Sequence, residues 1–171
     1  DVMFVDQGNP DELDKAFAAS PTLVLVETPS NPLMRVVDIR SIARRAREVG
    51  AKVAVDNTFL SPALQRPLLL GAHYVIHSTT KYLNGHSDVV GGAVICGDKS
   101  DAETLAAWAN VIGVTGSAFD SYMTLRGVRT LFPRVMQQQE TALAIARYLE
   151  SYPTVACVHY PGLPSHAGHA I

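Results

Sequence analysis

Three short stretches concentrate polar side chains directly after aliphatic runs. Glu27-Thr28-Pro29-Ser30-Asn31-Pro32 follows Leu23 to Val26, Asp56-Asn57-Thr58 follows Val53 to Val55, and His77-Ser78-Thr79-Thr80-Lys81-Tyr82 follows Tyr74 to Ile76. Singly, each has a structural reading: Asp56 caps the next segment, Ser78 and Thr80 satisfy turn backbone, and Lys81 is one more exposed lysine. Together they put a carboxylate, two hydroxyls and an amine beside one crevice, because ligands of open α/β sheets sit outside the carboxyl ends of the strands. That set matches the needs of pyridoxal 5'-phosphate. Its aldehyde takes a lysine amine, its pyridine nitrogen takes a carboxylate that keeps it protonated, and its phosphate takes small hydroxyls and backbone N–H groups. Lys81 fits the first need, Asp56 the second, Ser78 and Thr80 the third. A spacing of two turns both hydroxyls to one side of an extended stretch. Pro29 and Pro32 exclude a helix after Val26 and stiffen a loop that presents Asn31.

The elements that must carry these residues follow from periodicity. Short apolar runs alternate with segments of helical period, which predicts βαβ units around a mostly parallel sheet flanked by helices. The runs at Leu23, Val53 and Tyr74 are nearly continuous, as in strands buried on both faces, and Gly92 to Cys96 is a fourth strand. Asn9-Pro10-Asp11-Glu12 predicts a helix start, with Asn9 as cap, Pro10 in the first turn and Glu12 closing a capping box. A second helix starts at Asp38 and ends at Gly50, a position that favours a left-handed residue. Ile39, Ile42, Ala43, Ala46 and Val49 share its buried face, and Arg40, Arg44 and Arg47 its solvated one. Further helices are predicted over about 102–111, 117–126 and 133–150, and Val155 to Val158 as a strand that opens a further domain.

Composition narrows the functional classes. The chain has 171 residues, 47% hydrophobic and 18% charged, which suits one globular domain with a real core. Its net charge of −2 gives no electrostatic footprint for nucleic acid or an anionic membrane. No apolar run approaches the ~20 residues of a membrane span. Cys96 and Cys157 are far apart, which predicts reduced core residues in a cytoplasmic protein. The six histidines lack ligand spacing, so no metal is expected. The chain opens directly into a strand-like run and closes without a stop signal, so it is expected to be a segment of something longer.

Three motifs carry a resemblance. Ala72 to Asp88 (AHYVIHSTTKYLNGHSD), Glu27 to Pro32 (ETPSNP) and Val55 to Ala72 (VDNTFLSPALQRPLLLGA) resemble the Cys/Met-metabolism enzymes that depend on pyridoxal phosphate. The resemblance covers essentially the whole chain. Gly113 to Leu131 is most similar to the γ-synthase branch, and Tyr160 to His166 is shared with the γ-lyases. It implies an aspartate-aminotransferase-like (fold type I) large domain over residues 1–135, with 136–171 forming a connecting helix and the start of a small C-terminal domain. It implies that Lys81 bonds the cofactor, Asp56 pairs with the pyridine nitrogen, Ser78 and Thr80 bind phosphate, Thr58 packs on the ring, and Asn31 lies near the phenolic oxygen or the substrate carboxylate. The ring-stacking tyrosine and a second phosphate loop are expected upstream, and the carboxylate-binding arginine downstream. Arg126 and Arg129 are read as structural. The implied reaction is a γ-replacement joining an O-acylated homoserine, such as O-succinylhomoserine, and cysteine into cystathionine. The implied assembly is a homotetramer that shares active sites between subunits. A γ-lyase that eliminates cysteine is the enzymatic alternative, and a non-catalytic α/β binding module the alternative from another class.

Overall fold

A computed structural model describes residues 1–171. The elements in chain order are α1 (Pro10–Ala18), β1 (Leu23–Glu27), α2 (Ile39–Glu48), β2 (Lys52–Asp56), α3 (Ser61–Leu64), a short 3-10 helix (Pro67–Leu70), β3 (Tyr74–Ser78), β4 (Gly92–Cys96), α4 (Lys99–Ile112), α5 (Ala118–Val128) and α6 (Leu131–Glu150). The sheet runs in the order β1-β2-β3-β4. β1, β2 and β3 are parallel, with Val26 opposite Val55 and Val55 opposite Val75. β4 is antiparallel to β3. No helix is long and apolar enough to cross a membrane.

The helix signals in the sequence act largely as expected. The Asn9 side chain accepts from the N–H groups of Asp11 and Glu12, and that of Asp38 from those of Arg40 and Ser41. Each satisfies donors that the first helical turn leaves free. Glu12, however, accepts from the Asp6 N–H at 2.8 Å, so the box at Asn9 is not closed. The Asn9 N–H instead donates to the Asp6 carbonyl. α4 begins three residues before the predicted Ala102, because Asp98 caps it, and α6 begins at Leu131 rather than Pro133. Val155 to Val158 forms no strand, since no neighbouring strand pairs with it. Cys157 within it is exposed and Cys96 only half-buried, so neither is the core residue expected.

One face of the sheet is built into a core. Val26, Val53 and Val55 meet Ile39, Ile42, Ala43 and Ala46 of α2 and Phe17 of α1. Arg45 lies 4.7 Å over the Phe17 ring and pairs with Asp14, closing the seam between the two helices. The alternate residues turn the other way, as pleating requires. Here the expectation of strands buried on both faces fails for β1: Leu23 and Leu25 are more than half exposed. An edge strand covered by helices on a single side leaves its other row of side chains uncovered. Asp56 stands on the same row as Leu25, beside Glu27 in the β1–β2 register. The crevice therefore opens on the face away from α2.

Candidate active site

Each polar cluster is held by a local bonding pattern. After β1, the Thr28 Oγ1 accepts from the Val37 N–H at 3.1 Å, and the Ser30 N–H donates to the Arg35 carbonyl at 2.9 Å. These bonds close the proline-rich loop that carries Asn31. After β2, Asn57 is 1% exposed; its Nδ2 donates to the Gln65 carbonyl and its Oδ1 accepts from Gln65 Nε2, both at 2.9 Å. Gln65 Nε2 also donates to the Thr28 carbonyl at 3.1 Å. One amide pair, buried Asn57 with half-buried Gln65, thus ties the exits of β1 and β2 together, and such satisfied networks fix geometry.

Asp56 ends β2 with its Oδ1 accepting from the Thr58 N–H at 2.9 Å. This capping bond leaves the carboxylate further lone pairs to offer to the cleft. Thr58 Oγ1 in turn accepts from the Ser78 N–H at 2.8 Å, which fastens the end of β3 to the end of β2. The chain then leaves the strand: Thr79 to Asn84 form a turn, closed by the Asn84 N–H on the Thr79 carbonyl and the Gly85 N–H on the Lys81 carbonyl. Ser78 and Thr80 are therefore brought to one side by a turn, not by the pleat of an extended stretch. Thr80 Oγ1 also accepts from the Gly91 N–H at 3.0 Å, anchoring the turn to the segment that leads into β4. Lys81 projects from the middle of this turn, exposed and in none of the chain's ion pairs.

The result is one cleft of about 1000 Å³ that takes in all six residues expected from sequence: Asn31, Asp56, Thr58, Ser78, Thr80 and Lys81. Glu27, Phe59, Tyr82, Ser87, Asp88 and Gln138 line it as well. Most of these sit inside the motifs but had been given no role. Gln138 comes from the middle of α6, and nothing local in its run of three glutamines marks it. A second cavity of about 900 Å³, between the N-terminal segment and the C-terminal tail, contains only Glu27 of this constellation. Behind the cleft, His77 is 4% exposed and its Nδ1 has no partner. Burial pushes its imidazole below the usual range, and the Asp56 charge acts in the opposite direction. The donor set fits pyridoxal phosphate: one amine, one carboxylate, the unengaged Ser78 hydroxyl and the Thr80 hydroxyl, which touches only the Gly91 backbone, within a volume at the upper end of small-molecule sites.

The model of the family of Cys/Met-metabolism PLP-dependent enzymes matches residues 1–171. The chain belongs to this family. It is 61% identical over 170 residues to cystathionine gamma-synthase of Escherichia coli (strain K12), covering 99% of this chain and 44% of that protein. Cystathionine beta-lyase of Coxiella burnetii is 46% identical over 169 residues, 98% of this chain and 44% of that one. Among solved structures, cystathionine gamma synthase from Xanthomonas oryzae pv. oryzae, in complex with aminoacrylate and cysteine, superimposes with a TM-score of 0.97. Its identity is 55%, over 98% of this chain and 43% of that chain. The chain thus spans less than half the length of these relatives. The fold is that of the family's PLP-dependent enzymes, an α/β layer with a mostly parallel sheet, and the cofactor of the family is pyridoxal phosphate.

Proposed function

We propose that the complete protein is a cystathionine γ-synthase that joins an O-acylated homoserine, O-succinylhomoserine being the first candidate, to cysteine. The convergence of Lys81, Asp56, Ser78, Thr80, Thr58 and Asn31 on one cleft carries this reading. The likeness to the γ-synthases of Escherichia coli and Xanthomonas oryzae supports the choice of branch. When bound, pyridoxal phosphate supplies an electron sink that acidifies the substrate Cα–H. Lys81 Nζ is the residue that would hold the aldehyde carbon covalently, and its amine would be set free when the substrate amine takes its place. The freed Lys81 amine would be the base for the Cα proton and, once it has passed that proton on and is neutral again, for a Cβ proton, the acyloxy group leaving Cγ as a carboxylate. The cysteine thiolate adds at Cγ, and Lys81 returns the protons. Asp56 accepts the hydrogen bond from the ring nitrogen and keeps it protonated. Ser78 and Thr80 hydroxyls bind the phosphate, Thr58 packs on the ring, and Asn31 orients the phenolic oxygen or the substrate carboxylate.

At larger scale, residues 1–135 belong to the cofactor-binding domain, and 136–171 to a connecting helix and the beginning of a second domain. The 20-residue length of α6 supports a connecting role. The complete protein is a cytoplasmic homotetramer whose sites are shared between subunits, a reading that rests on the family resemblance.

Product analysis of the complete protein separates the branches. Given O-succinylhomoserine and cysteine, it forms cystathionine and succinate; given cystathionine alone, it releases little 2-oxobutanoate. Rapid conversion of cystathionine to cysteine, 2-oxobutanoate and ammonia would assign the γ-lyase branch. No cofactor absorbance and no turnover would leave the binding-module reading.

A further inference from the structure

Lys81 projects into the cleft with no side-chain partner, so the backbone of its turn is the one anchor that the chain gives it. That turn is gripped from α5 and α6. Arg134, in the first turns of α6, donates from Nη1 to the Tyr82 carbonyl at 3.0 Å, from Nη2 to the Gly127 carbonyl at 2.7 Å and from Nε to Thr130 Oγ1 at 3.1 Å. All three guanidinium nitrogens are engaged, none with a carboxylate. Two glycines make the approach possible. A Cβ on Gly127 would lie 2.1 Å from the Asn84 carbonyl oxygen, so α5 touches the turn backbone to backbone. Gly85 has φ +74°, and a Cβ there would lie 1.9 Å from Arg134 Nη1. Inside the turn, Asn84 is fully buried, and its Nδ2 donates to Asp88 Oδ1 at 2.6 Å.

We infer that Arg134, through this clamp on residues 82–85, is a positioning residue for the Lys81 amine. The inference rests on the reading of Lys81 given above. A planar guanidinium reaches three acceptors at fixed angles, which a lysine ammonium on a flexible stem does not reproduce. The clamp lies outside the apolar core of α1, α2 and the sheet, so its loss releases the turn and leaves that core in place. A displacement of the amine by about 1 Å is enough to slow a step it performs on the order of 10²-fold.

The test uses the complete protein with Arg134→Ala, Arg134→Lys, Gly127→Ala, Lys81→Ala and, as a control, Arg45→Ala, which breaks an ion pair and a ring contact remote from the cleft. In cofactor-free protein, Arg134→Ala is expected to speed hydrogen exchange at the Asn84 and Gly85 amides about tenfold or more, with β2 amides unchanged. In the loaded enzyme kcat falls on the order of 10²-fold while KM stays within about threefold, and added guanidinium ion restores part of the loss. Arg134→Lys and Gly127→Ala give the same pattern, which keeps the test decisive should Arg134→Ala not fold; Arg45→Ala changes neither quantity. Unchanged exchange at the turn, or equal acceleration across β2, overturns the inference. Lys81→Ala separates the two claims: if borohydride still traps the cofactor in it, the reading of Lys81 fails and the inference with it. If Lys81→Ala abolishes trapping while Arg134→Ala behaves as wild type, only the clamp fails.

Discussion

Asp56 bonds the Thr58 amide with one carboxylate oxygen and keeps lone pairs for a donor in the cleft. Asparagine preserves the first bond and loses the charge. Asp56→Asn is therefore expected to fold and to attach the cofactor, with turnover reduced by about 10²–10⁴-fold. Near-normal turnover would contradict the role. His77 gives a prediction in pH. Its burial lowers the folded-state pKa below the unfolded value of about 6.5, so the unfolded chain binds the proton more readily. This part of the stability is complete above about pH 6.5 and is lost as pH falls toward the lowered value. His73 adds to the same window: burial and then the Lys52 charge lower its pKa, and its Nδ1 accepts from the Val53 N–H. Urea midpoints of the complete protein should fall between about pH 7 and pH 5, and His77→Phe should flatten that fall; equal slopes would contradict it. Asp56, Ser78, Thr80 and Lys81 were legible because a residue's type and its place just past an aliphatic run suffice to nominate it. Gln138 and Arg134 were not, because they reach the site from a helix more than 50 residues further along the chain, and no local pattern encodes that approach.

α2 shows how much an element can announce of itself. Its Asp38 cap, its buried face and the left-handed Gly50 at its end, φ +73°, all follow from residue order. Two substitutions measure these contributions. Asp38→Ala should destabilise by about 1 kcal/mol, and Ile42→Ala, at a 2%-exposed core position, by about 2–5 kcal/mol. Chemical denaturation reads both; an Ile42→Ala effect no larger than that of the cap would contradict the packing described. The strands were less legible. An aliphatic run such as Leu23 to Val26 states that a strand forms, while the covering of each face depends on elements elsewhere. Likewise, nothing within Gly92 to Cys96 encodes that it runs antiparallel to β3; direction is a property of the pairing. Val155 to Val158 has strand composition and no partner, and remains irregular.

For the molecule as a whole, the open sheet face and the outer helices leave large apolar side chains in solvent. Phe4, Leu25, Trp108, Phe119, Tyr122 and Leu125 are all more than half exposed. Apolar surface of this extent promotes association. Residues 1–171 produced alone should self-associate and bind pyridoxal phosphate more weakly than the complete protein. Light scattering and a cofactor titration check this; a monodisperse monomer with full affinity would contradict it. The family was legible because long motifs surround the site. The central claim, that this cleft holds its cofactor through Lys81, has a direct measurement. The complete protein is loaded with pyridoxal phosphate, reduced with borohydride, digested and mapped by mass spectrometry. The account predicts the added mass on the peptide that contains Lys81. Finding it on Lys15, Lys52 or Lys99, or finding no trapped cofactor, would contradict it.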